Sequence, residues 1–157
     1  MTHVVFDVGA VLVDWKPHLA WTDAFETDAE VFAFMERTGF RAKNTRADGG
    51  EIFADLAGEI DDAQDADLFS QYVERYARTV ETPVHGTWDI VDQLIAQGTP
   101  LHAITNWSAE TWPEGPKAPP RLGEVFQTLV ISGREQITKP DRQIFDLLCT
   151  RAGIGAQ

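Results

Sequence analysis

The amino-acid sequence predicts an α/β protein with a parallel sheet whose strands are separated by helices. Three short apolar segments of strand character lie along the chain, at residues 3–7, 101–105 and 126–131. Between and after them, apolar residues recur at helical spacing. Because strands that alternate with helices pair in parallel through crossover connections, this order favours a parallel sheet covered by helices.

The first predicted strand, at residues 3–7, contains the run Val4-Val5-Phe6. A continuous run of β-branched and aromatic residues is typical of a strand that is buried on both faces. The strand ends at Asp7. In open α/β sheets ligands bind at the carboxyl ends of strands, so a carboxylate here is a candidate functional group. Aspartate also caps turns, and its position alone does not decide between the two interpretations.

A long helical block follows the first strand. Apolar residues recur there at helical spacing, with breaks at Gly39 and around Asp48-Gly49-Gly50, and Thr82-Pro83 marks the end of the block. A helical block between two strands of one sheet is interpreted as an insertion. The predicted domains are an α/β core at residues 1–14 and 84–157 and an inserted α-helical domain at residues 15–83.

The second half of the chain completes the alternation of helices and strands. Apolar residues between Trp88 and Ile95 predict an amphipathic helix, which is followed by the strand at residues 101–105. The strand at residues 126–131 comes next. A last helix is expected to begin near Pro140, since proline is common in the first turn of a helix.

Composition and charge exclude several classes of function. The chain has 157 residues and a net charge of −12, which repels nucleic-acid phosphates and anionic lipid. We therefore expect no nucleic-acid and no membrane partner, and a small anionic substrate would need a local positive site. Cys149 is the only cysteine, so an internal disulfide is impossible. No apolar run reaches the roughly 20 residues of a membrane span, and no basic N-terminal segment is present, so we expect a cytoplasmic protein.

Polar residues follow each predicted strand. Asp7 follows the first, Thr105 and Asn106 follow the second, and Lys139 comes after the third. If the strands are parallel, these residues meet at one edge of the sheet. These groups suit covalent transfer of an anionic group. The carboxylate would attack, the hydroxyl and amides would hold the anion oxygens, and the ammonium would neutralise charge. Thr105 or Lys139 alone has an ordinary structural explanation; their coincidence with Asp7 favours chemistry.

These segments together resemble the haloacid dehalogenase-like (HAD) hydrolase superfamily. Each motif is weak by itself, but three in the correct order with a helical insertion in the correct gap are specific, and the resemblance covers nearly the whole chain. It implies a three-layer Rossmann-like parallel sheet with an inserted α-helical cap. The matching segments are residues 6–14, residues 104–106, and residues 139–141 together with Ile144 and Phe145.

The resemblance also implies roles for individual residues. Asp7 would be the nucleophile and would form an aspartyl intermediate. Thr105 and the backbone N–H of Asn106 would bind the transferring group, and Lys139 would stabilise its charge. The carboxylate of Asp7 and the backbone C=O of Gly9 would be ligands of Mg²⁺, a cation that prefers oxygen donors.

Two further residues are candidates for substrate binding. Trp107 directly follows the second motif and could line the pocket, although packing in the core or the cap is the usual explanation of a tryptophan there. Arg41 is expected in a loop of the helical block, where a cap must present some group to an anionic substrate. A solvated arginine is the alternative interpretation of Arg41.

The chain departs from the family pattern in two places. Phosphatases of the family carry a second aspartate two residues after the nucleophile, which protonates the leaving oxygen, and here that position is Gly9. The family also has a fourth strand ending in an acidic pair, which this sequence does not contain before Gln157. We therefore expect a core that is incomplete at the C-terminus and an incomplete Mg²⁺ site. The first strand would then be an open edge through which the chain self-associates.

The expected function is hydrolysis of a small phosphorylated metabolite by a Mg²⁺-dependent phosphomonoesterase with an aspartyl-phosphate intermediate. One alternative is a 2-haloacid dehalogenase, which would use Asp7 without a metal because halide leaves without a proton. The 2-haloacid dehalogenases of the family, however, usually have an aromatic residue at the position of Gly9. The other alternative is a catalytically inactive remnant with a binding role only.

Overall fold

A parallel sheet of three strands forms the centre of the computed structural model, which describes residues 2–117 and 120–155. A separate antiparallel pair of short strands lies beside it. The α/β class and the parallel sheet predicted from the sequence are thus confirmed. The strands are β1 (Val4–Phe6), β2 (Val13–Asp14), β3 (Thr82–Pro83), β4 (Leu101–Thr105) and β5 (Thr128–Ile131).

Helices precede and follow these strands. No helix within residues 2–117 and 120–155 has the length and apolar character needed to cross a bilayer. The α-helices are α1 (Asp28–Arg37), α2 (Phe40–Asp48), α3 (Phe53–Ala57), α4 (Ala63–Ser70), α5 (Tyr72–Arg75), α6 (His85–Ala96), α7 (Ser132–Glu135) and α8 (Arg142–Ala152). Short 3-10 helices span Pro17–Ala20, Tyr76–Thr79, Trp112–Lys117 and Pro120–Gly123.

Strand β4 is the middle strand of the sheet, whose order is β1-β4-β5. All five of its residues are buried, as expected for a strand with neighbours on both edges and helices on its faces. Val4 pairs with Leu101, and His102 pairs with Thr128. Because both pairings are parallel, the carboxyl ends of the three strands meet at one edge of the sheet.

Element boundaries shift from the prediction where side chains intervene. Residues 101–105 form a strand as predicted, whereas the third strand begins at Thr128 rather than at residue 126. The last helix begins at Arg142, because the carboxylate of Asp141 accepts a hydrogen bond from the N–H of Gln143 and so caps the first turn. Pro140 therefore lies outside the helix that it was expected to start.

The helical segment, defined here as residues 17–79, has its own aromatic core. Trp21 is fully buried and stacks on Tyr72 with ring centroids 5.1 Å apart. Phe34 and Phe40 meet its ring edge-on at 5.1 and 5.3 Å. Such aromatic pairs add about 0.5–1.5 kcal/mol each beyond the area that they bury. These ring contacts hold the helices of the segment to one another.

The two-stranded β2–β3 pair closes the base of the helical segment. Val13 pairs with Pro83 in an antiparallel register, which brings the two ends of the segment together. The backbone C=O of Leu12 accepts hydrogen bonds from the indole N–H of Trp88 and the N–H of Val84. These contacts fix the segment beside the carboxyl edge of the sheet. The division into a core and a cap at residues 15–83 remains a prediction.

Strand β1 lies at an edge of the sheet and pairs with β4 alone among the described strands. The N–H of Val4 donates to Pro100, so the alternation of a parallel ladder turns the N–H and C=O of Val5 outward. The Val5 side chain is 43% exposed. It borders a largely apolar cavity of about 300 Å³, whose lining also includes Asp7, Lys139, Phe145 and Leu148. Unpaired backbone beside apolar surface favours association through this edge.

We propose that a second copy of the chain pairs with β1. The Val5→Asp variant is expected to prevent this pairing, because it places a charge in the apolar contact. Light scattering over a range of concentrations should show a wild-type mass that rises above 17.5 kDa and a variant mass that stays there. Ile90→Asp, a similar change at a 53% exposed position on α6, should still associate. A wild-type chain that remains monomeric at all concentrations would contradict the proposal.

Candidate active site

The polar residues predicted from the strand ends lie at the carboxyl edge of the sheet. Asp7 directly follows β1, Thr105 is the last residue of β4, and Asn106 comes next. Lys139 lies in the loop between α7 and α8, after β5. Parallel pairing of the strands therefore collects residues that are far apart in the sequence.

Lys139 is held by hydrogen bonds at both ends of the residue. Its backbone N–H donates to Oδ1 of Asn106 at 2.8 Å, and Nδ2 of Asn106 donates to its C=O at 3.1 Å. Its ammonium lies 2.7 Å from Oδ1 of Asp7 and donates to the C=O of Ile104 at 3.0 Å. The cation is thus fixed against the carboxylate that the sequence marks as the nucleophile.

One oxygen of Asp7 is bound and the other is available. Oδ1 accepts hydrogen bonds from Lys139 and from the backbone N–H of Val8, the latter at 2.7 Å. Within the described part of the chain, no hydrogen bond reaches Oδ2. The Asp7 side chain is 47% exposed, so a substrate can reach it. Two donors on one oxygen orient the carboxylate and leave the second oxygen free to attack.

The hydroxyl of Thr105 has no hydrogen-bond partner among the described residues, although the residue is only 1% exposed. A buried polar group without a partner destabilises the folded state by about 1–3 kcal/mol. An oxygen of a bound anion would remove this penalty. The position and the unpaired state of Thr105 therefore fit the predicted role in binding the transferring group.

A narrow cleft of about 70 Å³ lies between this edge of the sheet and the helical segment. Trp107 lines the cleft and is 4% exposed, and its indole N–H has no partner among the described residues. The ring packs edge-on against Trp112 and Tyr76. Trp107 thus combines core packing with a place at the cleft. The lining residues are Gly9, Trp15, Asn44, Asp48, Tyr76, Asn106, Trp107 and Thr111.

Arg41 is not brought to this cleft. It is exposed in the first turn of α2 and lines a different cavity, of about 580 Å³, with Phe32 and Met35. The sequence placed Arg41 in a cap loop, but it belongs to a helix. Its predicted role in substrate binding has no support from this position.

Asp48 is a cleft residue that the sequence analysis did not identify. It ends α2, and burial raises its pKa to about 7, against the opposing effect of a hydrogen bond from the N–H of Ser108. The sequence showed only a helix break here. An aspartate in the last turn of a helix faces the negative end of the helix dipole. That adverse placement was the one signal in the sequence that could have pointed to it.

Ser132 joins the end of the sheet to the helical segment. Its buried hydroxyl donates to the C=O of Asp48 at 2.5 Å and accepts from the N–H of Trp107 at 2.9 Å. The next residue, Gly133, lies so close to this loop that an added Cβ would be 2.4 Å from the N of Ala109. One small side chain and one glycine therefore allow residues 107–109 to approach the end of the sheet closely.

The oxygen donors present fit magnesium in kind but form only part of a coordination shell. The resemblance assigns this cation to the Asp7 carboxylate and the C=O of Gly9, both hard oxygen ligands. Within residues 2–117 and 120–155, no group of three or more His, Cys, Asp or Glu side chains could hold a metal. Magnesium is often bound through one or two carboxylates, with phosphate oxygens and water as the other ligands. These two donors would therefore bind it weakly without substrate.

Comparison with solved structures identifies the fold. A dehalogenase is 19% identical with a TM-score of 0.65, and the match covers 100% of this chain and 74% of that one. The chain has the fold of HAD-family enzymes. One of these, from Bacteroides thetaiotaomicron, was solved as a mutant with magnesium and inorganic phosphate; it is 14% identical with a TM-score of 0.70, and the match covers 98% and 80% of the two chains.

The HAD fold is also shared with an L-2-haloacid dehalogenase from Xanthobacter autotrophicus. That enzyme is 16% identical with a TM-score of 0.64, and the match covers 99% of this chain and 66% of that one. No protein-family model matches the sequence, and no curated protein matches it either. Sequence identities this low support a shared fold but not a shared activity.

The Ser132→Ala variant should lower the free energy of unfolding by about 1–3 kcal/mol, because it leaves two buried backbone groups without a partner. Urea unfolding at neutral pH measures this change. Ser70→Ala is the matched control, since its hydroxyl also donates to a backbone C=O, of Asp67, but at an exposed position. Equal effects of the two substitutions would show that the Ser132 hydroxyl does not hold the cleft together.

Proposed function

We propose that the chain is a hydrolase that transfers the phosphoryl group of a small phosphorylated metabolite to Asp7 and then to water. The observation that carries this proposal is the contact between Lys139 and Asp7 at 2.7 Å, locked by the two hydrogen bonds between Asn106 and the backbone of Lys139. A nucleophile paired with a fixed cation at the carboxyl end of a parallel sheet suits attack on an anionic group.

Each residue of the site has a defined part in the proposed reaction. The free oxygen of Asp7 attacks phosphorus, while Lys139 neutralises negative charge on the phosphoryl oxygens and orients the carboxylate. The unpaired hydroxyl of Thr105 and the N–H of Asn106 bind those oxygens. Magnesium held by Asp7 and Gly9 would add positive charge beside the phosphoryl group. Water then releases phosphate and restores Asp7.

The ammonium of Lys139 also explains how an acidic chain can take an anionic substrate. The net charge of −12 repels anions at long range, but this cation is only 20% exposed and faces the reacting group. Ion pairs strengthen where water is excluded. Recognition thus depends on a local site and not on the overall field.

Asp7→Asn is expected to lower turnover of any substrate by roughly 10³-fold or more, because the amide oxygen is a poor nucleophile. Release of phosphate from a panel of phosphate monoesters measures the effect. Asp14→Asn changes a half-exposed aspartate in the same N-terminal region, paired with Lys16, and should leave turnover unchanged. If Asp7→Asn keeps binding a ligand that the wild type never turns over, the chain has a binding role only.

A second candidate function, 2-haloacid dehalogenation, is favoured by one observation. The position two residues after the nucleophile is Gly9, which has no proton to give, and a departing halide needs none. Two of the three structures compared above are dehalogenases. The same carboxylate would then attack carbon instead of phosphorus.

Removal of metal separates the two functions. Phosphate release is expected to stop in excess chelator and to return on addition of Mg²⁺, because phosphoryl transfer needs charge neutralisation beyond that of one lysine. Halide release from a 2-haloacid should continue at an unchanged rate under the same conditions. Phosphate release that persists after exhaustive chelation would exclude the proposed role of magnesium.

A further inference from the structure

Phosphate esters of ordinary alcohols need a proton at the leaving oxygen, and the residues assigned so far do not supply one. Alkoxides are strong bases and leave poorly unless they are protonated in the transition state. Gly9 has no side chain, and the ammonium of Lys139 already contacts Asp7 and Ile104. The hydrolase proposed above, on which this inference rests, therefore has an unfilled role.

Asp48 lies where that role could be filled. It lines the narrow cleft together with Gly9, the residue two positions after the nucleophile, and with Asn106 of the second motif. Among the described residues that line this cleft, Asp48 has the only carboxyl group. The helical segment thus supplies a carboxyl group to the same cleft that Gly9 lines.

The position of Asp48 is fixed by contacts with both sides of the cleft. Its backbone C=O accepts the hydrogen bond from Ser132, which in turn accepts from the N–H of Trp107. Its Oδ2 accepts from Nδ2 of Asn44 at 3.3 Å. A proton donor must be held within hydrogen-bond reach of the atom that it protonates. These contacts hold the side chain at the cleft.

We propose that Asp48 is the general acid and general base of this hydrolase. In the first half-reaction the Asp7 oxygen bonds to phosphorus, the bond from phosphorus to the ester oxygen breaks, and that oxygen takes the proton of Asp48 and leaves as an alcohol. In the second, the Asp48 carboxylate takes a proton from water as the water oxygen attacks phosphorus. The bond from phosphorus to the Asp7 oxygen breaks, inorganic phosphate leaves, Asp7 is again a free carboxylate, and Asp48 is again protonated.

The surroundings of Asp48 support a proton at neutral pH. Burial raises its pKa to about 7, and no cation within the described part of the chain offsets this effect. The titratable groups that interact with it are the phenols of Tyr72 and Tyr76, whose own pKa values burial raises above the ordinary value. Both phenols are therefore neutral near pH 7. A group with a pKa near the working pH can both give and take a proton.

Dependence on the leaving group tests the proposal. In Asp48→Asn, kcat/KM for an alkyl ester such as glycerol 2-phosphate should fall roughly 10²–10⁴-fold, since its alkoxide needs the proton. For p-nitrophenyl phosphate, whose leaving group departs without a proton, kcat/KM should change less than about tenfold. Asp61→Asn, at an exposed carboxylate of the helical segment, is the matched control and should leave both values unchanged.

The outcomes separate the role of Asp48 from the proposed function. Equal losses for both esters mean that Asp48 only holds the cleft together, and no loss for either means that it takes no part; both results overturn the role alone. If the wild type hydrolyses neither ester under conditions that saturate it with Mg²⁺, the proposed function fails, and the role fails with it.

A titration provides a readout that does not depend on turnover. Carbon-13 NMR of the aspartate carboxyl groups, with Asp48→Asn used to assign the signal, should give a midpoint near pH 7 for Asp48. A midpoint below about 5, close to that of an ordinary aspartate, would overturn the proposal, because the group would then hold no proton at neutral pH.

Discussion

Parallel pairing of β1, β4 and β5 is the constraint on which the site depends. It brings three strand ends to one edge of the sheet. There the side-chain amide of Asn106 forms hydrogen bonds with both the N–H and the C=O of Lys139. The lysine stem then spans the end of β4 to reach Asp7. If the register of one strand moved, the ammonium would lose either its backbone anchor or its carboxylate. The proposed chemistry therefore depends on the pairing of the whole sheet and not on a single loop.

Much of this arrangement could be predicted because it depends on short patterns in the sequence. Two rules are enough to predict the site: the strand character of apolar runs, and the meeting of parallel strand ends at one edge of the sheet. Such runs precede Asp7, Thr105 with Asn106, and Lys139. Strand β4 is buried along its whole length, and its bounds were predicted correctly. The contact of Lys139 with Asp7 follows from topology.

Other features depend on contacts that no local pattern encodes. The sequence predicted that Arg41 binds an anionic substrate, but the packing of the helical segment decides which cavity it lines. Asp48 resembled a residue of a turn, and only the approach of the helical segment to the sheet buries it and raises its pKa. The start of α8 at Arg142 depends on a capping bond that competes with the preference of Pro140 for a first turn.

The recessed position of Lys139 has a consequence for how a substrate arrives. Dissolved salt screens charges that face water over a Debye length of about 8 Å at physiological ionic strength, but screens buried pairs much less. The repulsion between an anion and the chain, whose net charge is −12, acts through solvent and is screened strongly. The contact of the anion with Lys139, which is only 20% exposed, is screened much less. For the proposed anionic substrate, added salt should therefore speed the encounter more than it weakens the bound state, the reverse of an enzyme that steers its substrate by surface charge.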